Sequence, residues 1–362
     1  MKIIVNKNDF VGALKSVSRA VSTKLPLPIL TGIKICADKD LVLTGTDLEL
    51  GIACSIEADV KETGTLILPA KSLVEFIDKM PPGPVILESD GNNAVIKYCK
   101  SEARINGYSP EEYPEPPDVK AKANFCTTAD VLRDTIGRVV YAASIDSPNQ
   151  AMRGVFFEVD FGELTLVATD GYRLAVANAE LDSASGDASI IVPKRAMEEI
   201  MKLLKGKEKI TINAGEQLIE INFGNLTMTS TLLTGPYPDY KRVIPSDTVS
   251  KISVEAQAMK ESVDRVSLLC ADVQKPVINI KAAGEALVVS GRSETGAVRE
   301  DVDLVTVGDM EFNVNARFLN DAVKSMMTKE VVFEYIDTLK PVLVKPSEGK
   351  GLAIVLPVRM AG

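Results

Sequence analysis

Apolar residues recur along the chain with the spacing of buried helix faces, and they do so in three separate stretches. In each stretch apolar side chains stand at i, i+4, i+7 and i+11, which predicts one buried face of an α-helix. The stretches begin at Phe10, Leu132 and Met259, roughly 122 and 127 residues apart. The predicted faces are Phe10, Leu14, Val17 and Val21; Leu132, Ile136, Val139 and Ala143; and Met259, Val263, Val266 and Cys270.

A second set of three helices follows with nearly the same period. Each is predicted from a short apolar strand, then Pro or Asn, then helical spacing; Pro suits the first helical turn and Asn suits the N-cap. The corresponding buried positions are Leu73, Met197 and Leu319, and then Met80, Leu204 and Met326.

The strand segments repeat as well, because "LVLTGTD" (41–47), "LTLVATD" (164–170) and "LVVSGRS" (287–293) align at intervals of about 123 residues. Two alternating strands follow each second helix, which is typical of antiparallel, half-buried pairs. The sequence therefore predicts an α+β protein made of three tandem copies of a two-helix, antiparallel-sheet domain. Pro-rich segments at 108–120 and 235–247 place the boundaries, giving domains 1–120, 121–246 and 247–362.

One short stretch belongs to the middle copy alone. The Thr-Asp pair of "ATDGYRLA" (168–175) recurs in the first copy as Thr46–Asp47, so we interpret it as a strand-end turn in which Asp accepts backbone N–H groups. The following "GYRL" (171–174) has no counterpart in the other copies. The shared fold therefore does not require it, and two interpretations stay open: a functional surface, or ordinary divergence in a loop.

The net charge of −9 disfavours nucleic-acid binding unless the basic residues are segregated. Lysine and arginine do concentrate in the predicted helices, whereas acidic residues concentrate in strands and loops. Such helices fit a basic surface that binds phosphates without reading bases. Helix faces of mixed charge exposed to solvent are the alternative interpretation.

The composition excludes several classes of site. The absence of histidine removes Ser-His and Cys-His nucleophile pairs and the commonest transition-metal ligand. No phosphate-binding loop or dinucleotide-binding motif occurs, so we expect no cofactor, no metal and no catalytic residue. The five scattered cysteines indicate free, mostly buried thiols. With a charged beginning and no long apolar run, we expect a cytoplasmic protein without a membrane partner.

Two other functions remain open from the residues alone. An enzyme with a site at Asp170 and Arg173 would lose turnover on Asp170→Ala and keep its fold, whereas the repeated turn predicts a folding defect. The second alternative is a triplicated scaffold or adhesion module. Such a protein would be a monomer and would not be retained on circular DNA.

The motifs "LPIL" (27–30), "TGTDLEL" (44–50), "ATDGYRLA" (168–175), "YPDYKRVIP" (237–245) and "LPVRM" (356–360) resemble the bacterial DNA polymerase III beta subunit family, the replication sliding clamps. The resemblance covers the whole chain. It implies the DNA clamp fold and a ring-shaped, head-to-tail homodimer whose helices surround double-stranded DNA without sequence readout. The implied partners are the catalytic subunit of the replicative polymerase, the clamp loader, repair polymerases and mismatch-repair proteins.

The resemblance also implies site residues. A partner-peptide groove between the second and third domains would be lined by Met152, Thr169, Gly171, Tyr172, Arg173, Leu174, Pro238, Arg242, Val243, Ile354, Val355, Leu356, Pro357, Val358 and Arg359. Within it, an apolar pocket is expected from Leu174, Val243, Val355 and Leu356, with polar groups guiding the peptide backbone. Duplex DNA would meet Lys24, Lys71, Asn149, Gln150, Lys194, Arg195 and Arg317. The subunit contact would join residues 102–107 to Leu268 and Leu269.

Overall fold

The computed structural model describes residues 1–22, 27–114, 117–270, 276–294 and 296–359. Lys24, Met360, Ala361 and Gly362 lie outside these ranges, so the expected DNA contact of Lys24 has no structural counterpart here.

Six α-helices occur in the described part of the chain, two for each predicted copy. They are α1 (Lys7–Val17), α2 (Ala70–Asp78), α3 (Ala129–Gly137), α4 (Lys194–Leu203), α5 (Ala256–Ser267) and α6 (Ala316–Ser325). Single 3₁₀ turns lie at Ser18–Ala20, Pro28–Thr31, Pro110–Glu112, Val140–Ala142, Gln150–Arg153 and Tyr240–Val243. None of the described helices has the length and apolar character that a membrane crossing requires.

The predicted helix faces are buried except at Val21, which is half-buried, and the first helix of each copy ends earlier than its apolar period. Val139 and Cys270 are buried although they lie beyond the ends of α3 and α5. The chain there turns in short 3₁₀ or bent segments that keep the same side chains on the core. Asn315 caps α6 as predicted, since its Oδ1 accepts the N–H of Arg317 at 2.9 Å, whereas Pro69 only precedes α2.

The strands are short and pair antiparallel throughout the described residues. In chain order they are β1 (Lys2–Asn6), β2 (Gly32–Ala37), β3 (Leu41–Thr46), β4 (Leu50–Ile56), β5 (Asp59–Glu62), β6 (Gly64–Pro69), β7 (Pro84–Asp90), β8 (Asn93–Tyr98), β9 (Ser101–Ile105), β10 (Ala123–Thr128), β11 (Gly154–Asp160), β12 (Glu163–Thr169), β13 (Arg173–Glu180), β14 (Ser183–Ser185), β15 (Ala188–Pro193), β16 (Lys209–Ala214), β17 (Leu218–Phe223), β18 (Leu226–Thr231), β19 (Ser250–Glu255), β20 (Val277–Ala283), β21 (Ala286–Ser293), β22 (Gly296–Thr306), β23 (Met310–Asn315), β24 (Glu330–Tyr335), β25 (Val342–Pro346) and β26 (Leu352–Val355). The predicted strand pairs after each second helix are confirmed as β7–β8, β16–β17 and β24–β25.

By internal contacts the chain forms two compact units, and the division runs through the middle copy. The first unit holds Met1–Asp130, Asp182–Gly186 and Glu198–Leu232. The second holds Val131–Leu181, Asp187–Met197 and Leu233–Gly362. Three sequence copies therefore do not give three separate contact units, because strand pairing continues from one copy into the next.

The first unit contains a five-stranded sheet, ordered β5-β1-β7-β8-β9, and a nine-stranded sheet, ordered β14-β10-β16-β17-β18-β4-β3-β2-β6. In the larger sheet β18 of the middle copy pairs with β4 of the first, with Met228 opposite Ile52. Backbone hydrogen bonds between β4 and β18 therefore join the first copy to the middle copy in one continuous sheet.

The second unit contains a twelve-stranded sheet, ordered β15-β11-β12-β13-β26-β25-β24-β19-β22-β21-β20-β23. Here β26 of the last copy pairs with β13 of the middle copy, placing Ile354 opposite Leu174. Helices α5 and α6 bury Met259, Val263 and Leu319 against the sheet of the last copy. The segment "GYRL" lies where this β13–β26 junction begins.

The cysteines are free, but fewer are buried than expected. Cys54 and Cys270 are buried, Cys36 and Cys126 are half-buried, and Cys99 is exposed. Burial raises the pKa of the Cys54 thiol to about 11. Cys99 lies in the tight turn between β8 and β9, where the chain reverses at the surface.

Candidate functional site

The stretch 169–173 forms a closed turn held by two side chains. The Oδ1 atom of Asp170 accepts the backbone N–H groups of Tyr172 at 2.9 Å and Arg173 at 3.0 Å. The hydroxyl of Thr169 accepts the N–H of Gly171 at 3.1 Å and donates to the carbonyl of Arg173 at 2.7 Å. This network satisfies the backbone groups that the turn leaves without ladder partners.

The same network recurs in the first copy. Asp47 Oδ1 accepts the N–H groups of Glu49 at 3.1 Å and Leu50 at 2.8 Å. Thr46 accepts the N–H of Leu48 and donates to the carbonyl of Leu50, both at 3.0 Å. The prediction of a repeated Thr-Asp turn is thus confirmed, and the carboxylate of Asp170 serves this turn.

Arg173 binds the turn to the last copy from within the second unit. Its side chain is only 13% exposed. The guanidinium donates from Nε to Asp170 at 2.9 Å, from Nη1 to Asp321 on α6 at 2.5 Å, and from Nη2 to the carbonyl of Tyr141 at 2.8 Å. It also stacks over Phe318, 4.4 Å from the ring centroid. Three of the five guanidinium N–H groups of Arg173 therefore already donate inside the protein. The expectation that Arg173 is among the polar groups that guide a peptide stays a prediction.

A groove of about 650 Å³ opens beside this turn, within the second unit. Its floor is apolar: Leu174, Tyr240 and Ile354 pack in one buried cluster. Tyr172, Val243 and Leu356 are 66%, 52% and 37% exposed along its walls. The groove thus offers apolar surface to a ligand large enough to be a short peptide.

The structure brings eleven of the fifteen expected groove residues together. These are Met152, Thr169, Gly171, Tyr172, Arg173, Leu174, Pro238, Arg242, Val243, Ile354 and Leu356. Three elements carry nearly all of them. They are the turn before β13, the 3₁₀ turn at Tyr240–Val243 together with the residues just before it, and the end of β26.

The other four expected residues do not line the groove, and strand geometry explains Val355. Neighbouring side chains on a strand point to opposite faces, so Ile354 lines the groove while Val355, 1% exposed, packs in the core of the last copy. The apolar pocket expected to include Val355 is therefore formed without it. Pro357, Val358 and Arg359 lie past the groove, where the N–H of Val358 donates to the carbonyl of Asn313 at 2.8 Å.

Sequence reasoning missed several lining residues: Asp239, Tyr240, Pro245, Ser246, Asp247, Ile336, Lys340 and Pro341. Those from 239 to 247 lie in the Pro-rich segment 235–247, which the sequence analysis identified as a domain boundary. The sequence signal available for them was that this segment lies next to the expected groove residues Pro238, Arg242 and Val243. The β24–β25 loop, which carries Ile336, Lys340 and Pro341, gave no sequence signal, because only folding brings it to the groove.

The residues expected at DNA occupy differing environments. Lys71, Arg195 and Arg317 are exposed near the starts of α2, α4 and α6. Lys194 is half-buried instead, and its ammonium group donates to the carbonyl of Ala143 at 2.8 Å. Its charge is therefore partly used within the protein.

The loop residues expected at DNA lie before and within a 3₁₀ turn. Asn149 is exposed and caps that turn, since its side-chain oxygen accepts the N–H of Ala151 at 3.1 Å. Gln150 begins the turn and is exposed.

The residues expected at a subunit contact are accessible in the single chain. Leu268 and Leu269 are 74% and 41% exposed at the end of α5, although both are large and apolar. Residues 102–105 belong to β9, which among the described strands pairs only with β8. Each of these surfaces leaves groups that an association would cover.

Comparisons with known proteins agree over the whole chain. Family models of the DNA polymerase III beta subunit match its N-terminal domain at residues 1–117, its central domain at 127–239 and its C-terminal domain at 241–359. The beta sliding clamp of Staphylococcus aureus is 30% identical, with 99% of each chain covered.

Solved structures agree as well. The DNA polymerase sliding clamp of Bacillus subtilis has a TM-score of 0.95 at 28% identity, covering 100% of both chains. A putative DNA polymerase III beta subunit from Eubacterium rectale has a TM-score of 0.93 at 27% identity, covering 99% of both. With three matched domains, antiparallel sheets and six described helices, the chain belongs to the DNA polymerase III beta subunit family, the beta sliding clamps.

Proposed function

We propose that the chain is the processivity clamp of a bacterial replicative DNA polymerase. It is not an enzyme: it holds the polymerase on duplex DNA by encircling it. The observation that carries this proposal is the match of three consecutive family domains, which together span nearly the whole chain. The use of Asp170 in a repeated structural turn further disfavours an enzyme site there.

The working particle is a head-to-tail homodimer that closes a ring in the cytoplasm, with domains joined within residues 108–120 and 235–247. Exposed Leu268 and Leu269 support a subunit contact at the end of α5. The exposed cations Lys71, Arg195 and Arg317 support contacts to phosphates, which need no base readout. Lys24, Asn149, Gln150 and Lys194 complete the proposed DNA surface.

The groove is the proposed site for short peptide segments of the replicative polymerase, the clamp loader, repair polymerases and mismatch-repair proteins. Its apolar floor and partly exposed walls suit a peptide with one or two apolar anchors. One site of this kind in each subunit would let partners exchange on the same ring.

Retention on circular DNA tests the proposal. Loaded onto nicked circles by a clamp loader, the protein is expected to persist at a salt concentration that strips it from short linear duplex, because a closed ring leaves only over an end. Cutting the circle should release it. Equal salt loss from both substrates, or a monomeric particle, would contradict the clamp function. Replacing Leu268 with Ala and Leu269 with Lys should give monomers that no longer persist on circles.

A further inference from the structure

At both junctions between copies, a carboxylate on the second helix of one copy binds an arginine of the copy before it. Glu199 on α4 and Asp321 on α6 hold equivalent positions in the repeat. Glu199 accepts a hydrogen bond from Nη1 of Arg19 at 3.0 Å. Asp321 accepts one from Nη1 of Arg173 at 2.5 Å. Each ion pair therefore ties a helix to the preceding copy, and each lies within one compact unit.

The two arginines reach these carboxylates from different elements. Arg19 lies in the 3₁₀ turn that follows α1, where the middle copy has Tyr141. Arg173 belongs instead to the turn that lines the groove, where the first copy has Leu50. Of the two junctions, the second is therefore the one at which a helix carboxylate reaches the groove turn. Asp321 itself is not among the residues that line the groove.

Helix α6 holds the guanidinium of Arg173 with one of its faces. Phe318, Asp321 and Ser325 follow one another at intervals of three and four residues, which places them on the same side of the helix. The ring centroid of Phe318 lies 4.4 Å from the guanidinium carbon of Arg173, and that of Tyr141 lies 5.2 Å from it. The Ser325 hydroxyl donates to the Tyr141 hydroxyl at 3.3 Å. The ring contacts fix the plane of the guanidinium, and its hydrogen bonds fix its direction.

Arg173 keeps two donors for a ligand after these contacts. A guanidinium has five N–H groups, and Asp170, Asp321 and the carbonyl of Tyr141 accept one each. Five less three leaves two N–H groups, one on Nη1 and one on Nη2. Because Arg173 lines the groove, these two groups can donate charge-assisted hydrogen bonds to a carbonyl oxygen of a bound peptide.

We infer that Asp321 is a positioning residue for the peptide groove. It holds Arg173 so that Nη1 and Nη2 donate to a backbone carbonyl of the peptide. The inference rests on the proposed peptide groove and adds to it a residue outside the lining. An unrestrained arginine side chain has many rotamers, and a binding peptide would have to restrict them. Asp321 restricts them before the peptide arrives, so this cost does not reduce the affinity.

Loss of the Asp321 carboxylate tests the positioning through the affinity for a fluorescein-labelled peptide from the polymerase catalytic subunit, measured by fluorescence polarisation. Asp321→Ala is expected to raise the dissociation constant about threefold to tenfold, because the peptide must then restrict Arg173 itself. Asp321→Asn should stay within about twofold of the unchanged protein, since its amide oxygen still accepts the hydrogen bond. Unchanged affinity for Asp321→Ala would overturn the inference. Tighter binding would overturn it too, because the carboxylate would then compete with the peptide for the guanidinium.

Glu199→Ala is the matched control. It removes the equivalent carboxylate at the first junction, where Arg19 lies outside the groove. Peptide affinity should be unchanged in this variant, although both variants lose an ion pair. Asp321 is 43% exposed, so Asp321→Ala should keep its fold, and thermal unfolding checks this for both variants. An equal loss of peptide affinity in the two variants would overturn a specific role for Asp321.

A double variant separates positioning from a general displacement of α6. In an Arg173→Met background, Asp321→Ala should cause no further loss of peptide affinity, because Asp321 acts through Arg173. A further loss of about threefold or more would overturn the inference and assign the effect to the helix. An unchanged protein that binds no peptide would instead overturn the groove function itself, on which the inference rests.

Discussion

Leu48 and Gly171 occupy the same position of two equivalent turns, and both have a left-handed backbone, with φ of 78° and 87°. The turn imposes this conformation, because its Thr and Asp hydrogen bonds are the same in both copies. Glycine adopts it without steric cost, whereas leucine does not. The middle copy thus carries an unstrained turn at the groove, and the first copy carries a strained one.

Gly171→Ala isolates this backbone effect. No atom lies within 4 Å of the Cβ it would add, so the expected loss of about 1 kcal/mol comes from the left-handed φ alone. Gly12→Ala is the matched control: its Cβ would also meet nothing within 4 Å, but Gly12 is inside α1 and should gain about 0.5–1 kcal/mol. Urea unfolding of both variants measures the two shifts, and shifts of the same sign would contradict the account.

Arg173→Met should destabilise the second unit. It leaves Asp170 and Asp321 without their shared cation, and charged hydrogen bonds of this kind contribute roughly 1.5–3 kcal/mol. Arg173→Lys should recover little, since an ammonium group cannot make the planar, forked contact. Arg242→Ala is the control: Arg242 lines the same groove and pairs with Asp239, but is 85% exposed, so its loss should stay within about 0.5 kcal/mol. Thermal unfolding distinguishes them.

Leu356→Ala should weaken a peptide from the polymerase catalytic subunit by about tenfold, because part of one apolar wall is lost. Arg359→Ala should leave the affinity unchanged, since Arg359 is exposed beyond the groove. Fluorescence polarisation gives both affinities. A point change is preferable to truncation, because the backbone of Val358 hydrogen-bonds to Asn313. Equal affinities for the two variants would remove Leu356 from the binding site.

Glu334 makes stability depend on pH at the last copy's sheet. Burial opposes its ionisation, but hydrogen bonds from Lys251 and Lys345, each at 2.7 Å, outweigh it and hold the pKa of Glu334 below its usual range. The stabilisation is therefore complete above the unfolded pKa of about 4.3 and is lost as pH falls through the lower folded pKa.

Glu334→Gln should accordingly cost about 1–2 kcal/mol at pH 7 and progressively less as the solution is acidified below pH 4. Urea unfolding of both proteins across this range gives the difference. A cost that is constant from pH 7 to pH 3 would show that the carboxylate charge contributes nothing.

The sequence by itself determined the elements that depend on local pattern and repetition. Helix faces such as Phe10, Leu14 and Val17 follow from a 3.6-residue period, and the Thr-Asp turns follow from residue chemistry that recurs in two copies. The resemblance to a family then predicted most of the residues that line the groove, because the family's motifs place them in three continuous segments of the sequence. Local pattern also correctly gave the strand pairs after each second helix.

Only the tertiary structure decided how the copies join and which side chains the groove receives. The β4–β18 and β13–β26 ladders pair strands distant in sequence, so no local period encodes them, and they merge three copies into two contact units. The face taken by each residue of β26 depends on that pairing, which sends Ile354 to the groove and Val355 to the core. The sequence likewise does not show that Arg173 has an internal partner. In the folded chain its guanidinium donates a hydrogen bond to the carboxylate of Asp321, which is 148 residues away in the sequence.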